Sequence, residues 1–349
     1  MSLPKTQRAQ MIYEFGTDVK LVSIPLPEPL DDELLVNIKY SGVCHTDACF
    51  MRNEIPVPGL KLPMVAGHEG AGVVVKVGSK VTKFKIGDRV GIKIYTRACN
   101  KCEFCQKHKY EHFCENIESC IADKSGTFQE YGVISEDQAL LIPDNVDLAA
   151  AAPLQCAGVT VYRALKESNV KPGEFVVITG AAGGLGSFAL QFARAMGMRP
   201  IAVDLGSDKQ QHCLDLGAEH FFDATHPDLV KKIIVFTNGG PHGVVNIAPH
   251  HKPIEDSMLY IRKTGTIVLV GIPEKGNFTV DIHTVLLKGI KLKGSILGNR
   301  EDFAEATMFL SRGLIDIPLE IRGLTELPEI LPKLDKGQIK GRIVLDTSK

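Results

Sequence analysis

The sequence predicts an α/β protein with two domains: one a doubly wound parallel sheet of six strands, the other β-rich and mostly antiparallel. Three observations carry this expectation. Between residues 174 and 296, six short apolar runs alternate with helix-like segments. A glycine-rich string, Gly180-Ala-Ala-Gly183-Gly184-Leu185-Gly186, lies between the first apolar run and the helix that follows it. The first 150 residues instead carry short β-rich runs cut by turns rich in Pro and Gly.

Taken in order, Leu34–Tyr40 and Gly70–Val77 read as strands of the first domain. Pro25-Leu-Pro27-Glu-Pro29 and Pro56-Val-Pro58-Gly59 read as its turns. Glu174-Phe-Val-Val-Ile-Thr179 is continuously apolar in the middle, as a strand buried on both faces must be. Leu185, Phe188, Ala189, Phe192, Ala193 and Met196 then recur at helical spacing, and Gly197 ends that helix. Ile201–Val203 is the second strand, with others expected near 220–223, 243–247, 266–270 and 290–296. Asp208–Leu216, closing on Gly217, and Asp228–Thr237 read as connecting helices. The tail carries a helix over Arg300–Arg312 and a strand at Arg342–Leu345, expected to return to the first domain. The expected division is therefore 1–156 with 297–349, and 157–296.

Composition narrows the function. A total of 40 basic against 41 acidic residues gives a net charge of -1, which argues against nucleic acid or an anionic membrane as the main partner. The N-terminus has no apolar segment of signal-peptide length, no apolar run is long enough to span a bilayer, and the last three residues are no peroxisomal address. With nine cysteines and no leader, a reducing compartment is expected, the cytosol by default.

Cys99-Asn-Lys-Cys102-Glu-Phe-Cys105, followed by Cys114, is the densest chemical signal. Two-residue gaps let successive thiolates of a short loop converge on one ion, and zinc favours four sulfurs in a closed tetrahedron. Such a site has no open position, so this metal is expected to be structural. His112 is an alternative fourth ligand, although a solvated loop position is the expected role for both it and His108. Cys120 and Cys213 are read as reduced thiols, and the His250-His251 pair is assigned no chemistry.

The glycine string sits where a strand turns into a helix, the context that lets backbone amides approach a pyrophosphate. Asp204, 18 residues beyond Gly186, ends the second strand and can accept hydrogen bonds from both hydroxyls of an adenosine ribose. Its charge would repel a 2′-phosphate, which favours NAD(H) over NADP(H). Lys209 can reach the same ribose.

Further segments carry a resemblance. Gly67-His-Glu-Gly-Ala-Gly72, Cys44-His-Thr-Asp47, Leu154-Gln-Cys-Ala-Gly158 and the ending from Lys336 to Lys349 closely resemble the zinc-containing medium-chain alcohol dehydrogenases, with the yeast-type branch nearest. The likeness runs over nearly the whole chain. It implies a Rossmann cofactor domain, a GroES-like catalytic domain, and two zinc ions per subunit, one catalytic and one structural. By the same resemblance, Cys44, His68 and Cys156 surround the catalytic zinc, and Asp47 orients the histidine. Glu69 is implied as a transient ligand or an electrostatic tuner. Thr46 would pass the alcohol proton toward the cofactor ribose. His45 and Arg342 match positions that bind the pyrophosphate, and Val270 and Ser295 match positions near the nicotinamide half. Leu185 would contact the cofactor through its backbone.

Three departures from the family pattern stand out. The relay histidine of yeast-type relatives falls on Cys49, which suggests a shortened proton relay. The chain has no tryptophan, and the pocket-narrowing tryptophans of those relatives fall on Ile55 and Ile94. A wider pocket would prefer alcohols or carbonyls bulkier than ethanol and acetaldehyde, unless neighbouring loops refill it. The gap from Cys105 to Cys114 is one residue longer than usual, which a loop absorbs at little entropic cost. A zinc-free reductase on the same fold would lack the Cys44–His68–Cys156 set, and a non-catalytic scaffold would have lost a ligand or Thr46. A homotetramer is expected, with a homodimer as the alternative, using the 290–296 strand or its neighbour as the joining edge.

Overall fold

A computed structural model describes residues 3–55, 59–106, 110–273, 276–336, 338–339 and 341–349. The expected turn at Pro56-Val-Pro58 and the loop histidine His108 lie outside the described residues, as do Gly337 and Lys340 of the C-terminal motif. The chain divides into two compact units. The first is Met1–Cys156 with Gly298–Ser311 and Pro318–Lys349; the second is Ala157–Leu297 with Arg312–Ile317.

In the first unit, Glu33–Gly42 is the hub of the larger sheet. It pairs antiparallel with Gly70–Val77, with Tyr131–Ser135 and with the C-terminal strand Arg342–Asp346. Arg89–Ile92 and Leu140–Leu141 extend one side. On the other side Leu319–Gly323 adds the sheet's one parallel pairing among the described strands, against Arg342–Asp346. Leu34, Val36, Ile38, Val74, Val90, Ile92 and Ile134 are buried together on this sheet. A second apolar cluster gathers Val43, Phe50, Met51, Met64, Val65, Phe128, Leu327, Ile343 and Leu345. Near 25 cal/mol per Å² of apolar surface, each such side chain stabilises by about 1.5–3 kcal/mol. A two-stranded ribbon, Tyr95–Arg97 with Glu118–Ser119, forms the stem of the loop that carries the four cysteines.

In the second unit, the strands Phe175–Thr179, Arg199–Asp204, His220–Asp223, Gly243–Asn246, Thr266–Leu269 and Lys291–Gly294 are all parallel. By position in the chain their spatial order is 3-2-1-4-5-6. This is the doubly wound arrangement whose strand order reverses beside the first strand. Phe175–Thr179 is buried at every position, as its apolar run requires. The sixth strand is different. The expected apolar 290–296 run reduces to Lys291–Gly294, and all four residues are exposed. It lies at the sheet edge, where one flank is unpaired and lysines are tolerated. The helix expected at Asp208–Leu216 begins as a tight turn at Ser207–Lys209 and is helical over Gln210–Asp215.

Candidate metal centres and dinucleotide site

Asp47 organises the first candidate centre. It lies in the first turn of the helix His45–Met51, whose N-cap is Cys44. Its carboxylate is fully buried and accepts from Cys44 N at 3.1 Å, Gly67 N at 3.0 Å and His68 Nδ1 at 2.7 Å. Gly67 has φ +93, and a side chain there would collide with Phe128. That turn carries His68 inward. With Nδ1–H donated to Asp47, the lone pair of His68 sits on Nε2, which is buried and has no hydrogen-bond partner among the described residues. Holding a ring tautomer in this way is what an outer carboxylate does for a metal ligand.

Cys156 comes from elsewhere in the first unit. Pro153, last in the helix Leu148–Pro153, has no amide proton to donate, and the chain widens into a π-helical turn over Leu154–Gly158. Cys156 sits in this turn. The Sγ atoms of Cys44 and Cys156, a ring nitrogen of His68 and a carboxylate oxygen of Glu69 all lie within 4.8 Å of one another. The Cys44 thiol is held well below its ordinary range, first by its hydrogen bond with Cys156 and, against burial, by His68. The same hydrogen bond and burial push Cys156 well above its range. Two sulfurs this close hold one charge between them, and a divalent cation would let both ionise. Burial raises the Glu69 carboxyl to about 7, although the Arg342 guanidinium pulls it down. Arg342 and Glu69 form a direct ion pair, with both side chains buried. Two soft sulfurs, an orphaned imidazole nitrogen and one carboxylate fit zinc.

The second centre is local. The sulfurs of Cys99, Cys102, Cys105 and Cys114 lie within 4.8 Å of one another. Cys99 and Cys105 are 3.9 Å apart, close to the roughly 3.8 Å edge of a tetrahedron with 2.3 Å zinc–sulfur bonds. Backbone amides support the set: Cys99 N donates to Cys114 Sγ and Cys102 N to Cys99 Sγ, both at 3.3 Å. Backbone donors, Lys101 first, draw Cys99 down to about 6, whereas burial pushes Cys105 up to about 12. The fourth sulfur is that of Cys114, and His112 is not in the set. Nor is His112 solvated, as expected from sequence. It is buried within the short helix Glu111–Phe113, which turns it inward, with its ring 4.4 Å from that of Phe113.

In the second unit, Gly183 caps the helix Gly184–Ala195 immediately after the Phe175–Thr179 strand. Gly180 has φ +67, and a side chain at Gly186 would strike the Ala181 carbonyl. The turn is therefore available only to glycine at those points. Leu185 is partly buried on its first turn. Asp204 accepts from Ala182 N at 2.9 Å, Leu205 N at 2.7 Å and Lys209 Nζ at 2.8 Å. It is thereby tied to the glycine turn. Val270 and Ser295 follow the fifth and sixth strands, where Val270 N donates to Asn246 O and Ser295 N to Leu269 O.

The remaining expected site residues lie in the first unit. His45 is exposed and Thr46 half-buried on the helix that Cys44 caps. Cys49 lies one turn on, with Sγ 3.5 Å from His45 Nδ1. Ile55 and Ile94 both pack against the cluster around Phe50 and Met51. Asp223, beside Asp204, was not expected from sequence. Only its register opposite Asp204 reveals it.

A 3-2-1-4-5-6 parallel sheet with a glycine turn, together with a β-rich unit bearing two metal-ligand clusters, defines a metal-containing dinucleotide-binding protein. Comparisons agree. Residues 30–144 match the alcohol dehydrogenase GroES-like domain, and residues 184–312 match the zinc-binding dehydrogenase family. Alcohol dehydrogenase 1 of Caenorhabditis elegans is 46% identical over 349 residues, covering 100% of this chain and 99% of that protein. Alcohol dehydrogenase 2 of the same organism is 44% identical, covering 99% and 98%. The acetophenone reductase of Geotrichum candidum, solved in complex with NAD, has a TM-score of 0.86 at 26% identity, covering 99% of each chain. The chain belongs to the zinc-containing medium-chain alcohol dehydrogenases, and is an oxidoreductase of alcohols and carbonyl compounds. Among the described residues no helix is long and apolar enough to cross a membrane.

Proposed function

We propose that this enzyme interconverts an alcohol with an aldehyde or ketone, using NAD(H) and a catalytic zinc held by Cys44, His68 and Cys156, on substrates bulkier than ethanol. The observation that carries the reading is the convergence of these three ligands with His68 Nε2 left unpartnered. When bound, zinc supplies a Lewis acid for the substrate oxygen, and NAD(H) supplies or accepts the hydride.

The chain's own groups do the rest. Asp47 fixes the ring of His68, and Glu69, paired with Arg342, tunes the charge beside it. Thr46 passes the alcohol proton toward the cofactor ribose. Cys49, at the relay position, is pushed up to about 11 by burial first and by Glu54 second. A thiol so weakly acidic keeps its proton at neutral pH, so Cys49 would not carry the alcohol proton onward from Thr46, and the relay would be shortened. Cys49→His should therefore change the rate or its pH profile, and an unchanged pair would refute a limiting relay.

We assign His45, Arg342, the Gly180–Gly186 turn and the Leu185 backbone to the pyrophosphate, and Asp204 with Lys209 to the adenosine ribose. Val270 and Ser295 go to the nicotinamide half. The buried Ser295 Oγ has no hydrogen-bond partner among the described residues, which supports a ligand there. The NAD complex of the acetophenone reductase supports the choice of cofactor. Cys99, Cys102, Cys105 and Cys114 hold a structural zinc. Ile55 and Ile94, standing where yeast-type relatives have tryptophan, widen the pocket. The exposed edge strand Lys291–Gly294, next to the exposed Leu286 and Leu287, joins subunits into a homotetramer or, failing that, a homodimer. The enzyme works in the cytosol.

Zinc content per subunit, measured with NADH absorbance over a panel of straight, branched and cyclic substrates, tests the reading. Two zinc ions and a best efficiency above ethanol are expected. Highest efficiency with ethanol would overturn the substrate assignment.

A further inference from the structure

Asp204 and Asp223 end adjacent parallel strands in direct register. Ligands of such sheets bind beyond the carboxyl ends of the strands. The two aspartates differ in what they hold. Asp204 is bound to the glycine turn through Ala182 N and is paired with Lys209. Asp223 holds the loop that leaves Asp204: its Oδ1 accepts from Gly206 N at 3.4 Å, Thr225 N at 2.9 Å and Thr225 Oγ1 at 2.8 Å. From the other side, Ala224 N donates to the Asp204 carbonyl at 2.8 Å. The loop is tied twice to the end of the third strand.

The same loop turns at a glycine with left-handed backbone. Gly206 has φ +86, and a side chain there would come within 2.7 Å of Asp208 Oδ1. Asp208 therefore folds back over Gly206, so a third carboxylate belongs to the loop whose Gly206 amide Asp223 holds. Against the carboxylates stand Lys209, paired with Asp204, and His226, near Asp223.

We infer that Asp223 is a positioning and specificity residue for the cofactor: it sets the 205–208 loop so that Asp204, Asp208 and Asp223 together surround the adenosine ribose and reject a 2′-phosphate. This rests on the NAD(H) reading above and extends it from one carboxylate to three. Backbone donation from Thr225 holds the Asp223 carboxyl below its ordinary range, so it is charged at neutral pH. A 2′-phosphate brings a charge of about −1.5 to −2. Repulsion from three carboxylates is not removed by deleting one of them.

Titration calorimetry of the full-length protein with NAD+ and NADP+ tests this without turnover. The wild type should bind NAD+ about 100-fold more tightly than NADP+, the size of a typical coupling between a charge and its site. Asp204→Ser should weaken NAD+ and leave NADP+ weak, because two carboxylates remain. Asp223→Ala, checked for an unchanged melting profile, should weaken NAD+ about tenfold by freeing the loop. Asp223→Asn keeps an acceptor oxygen for Gly206 and Thr225, so it should restore NAD+ affinity while tightening NADP+ about threefold to tenfold. Failure of the wild type to prefer NAD+ would sink the cofactor reading and this inference together. A wild-type preference for NAD+ with both constants unmoved in Asp223→Ala, or with Asp223→Asn as weak toward NAD+ as Asp223→Ala, would overturn the inference alone.

Discussion

The four-cysteine cluster and the Cys44–His68–Cys156 cluster differ in how much of the fold each one needs. In the first, three ligands lie within Cys99 to Cys105, and the supporting donors are amides of the same loop. Cys99 and Cys102 remain partly exposed. In the second, the ligands come from a helix N-cap, a turn after Met64–Val65 and a π-helical turn. A fully buried carboxylate, Asp47, caps its own helix at Cys44 N and ties it to the Gly67–His68 turn through two further hydrogen bonds. A local cluster can close around its ion with little help from the surrounding core. A dispersed one must be built by the core first, and it can then leave one coordination position to chemistry.

Several substitutions would break or sharpen this contrast. Cys44→Ser should have the largest effect. NADH turnover is expected to fall about 10³-fold or more, the several kcal/mol that a Lewis acid contributes. Metal analysis should show zinc falling from two to one per subunit. Retention of both ions would erase the distinction between the clusters.

Asp47→Asn comes next. Outer-carboxylate loss typically costs 10–100-fold in metal affinity or activity. A chelator-competition titration should show the dispersed site weakened and the four-cysteine site untouched.

Cys114→Ser should act on stability rather than chemistry. Thermal denaturation is expected to shift down by roughly 5–10 °C, on a scale where 1 kcal/mol moves such a domain about 2–4 °C. Turnover per folded, metal-replete catalytic site should remain close to that of the parent. A turnover loss matching that of Cys44→Ser would mean that the two clusters are not independent.

The smallest effect is expected at Lys93, buried at the end of the strand that leads toward the four-cysteine lobe. Its Nζ lies 4.7 Å from the Phe303 ring, and Glu111, from the lobe itself, faces it with Arg300. Burial lowers its pKa from 10.5 to about 8, and Glu111 opposes that shift. The unfolded chain therefore holds the proton more tightly than the folded one between those values. The cost of burying the charge is full below about pH 8 and is relieved as pH rises toward 10.5. Lys93→Met should raise the melting temperature at pH 7 by about 2–4 °C. That advantage should shrink when the scan is repeated at pH 9.5. A gap that widens with pH would show that Lys93 is stabilised as a cation.

Much of this was legible in the chain, for different reasons in different places. Phe175–Thr179 announced a doubly buried strand because a parallel sheet covered on both faces needs apolar side chains at every position. The glycines at 180 and 186 announced the turn because a side chain at either would be strained or would clash. Lys291–Gly294 misled, since its flanking apolar residues suggested burial where the sheet has an open edge. His112 misled as well: short-range spacing carries no information about which aromatic neighbour will cover a ring.

Residue spacing by itself determined the four-thiol loop, the alternation of strand and helix, and the glycine turn, because each depends on contacts only a few positions apart. The tertiary structure alone decided that Cys44, His68, Glu69 and Cys156 meet, that Asp47 orients the ring, and that Asp223 stands opposite Asp204. Those groups are separated by tens of residues, and only the burial of apolar surface between sheet and helices generates the free energy that brings them together.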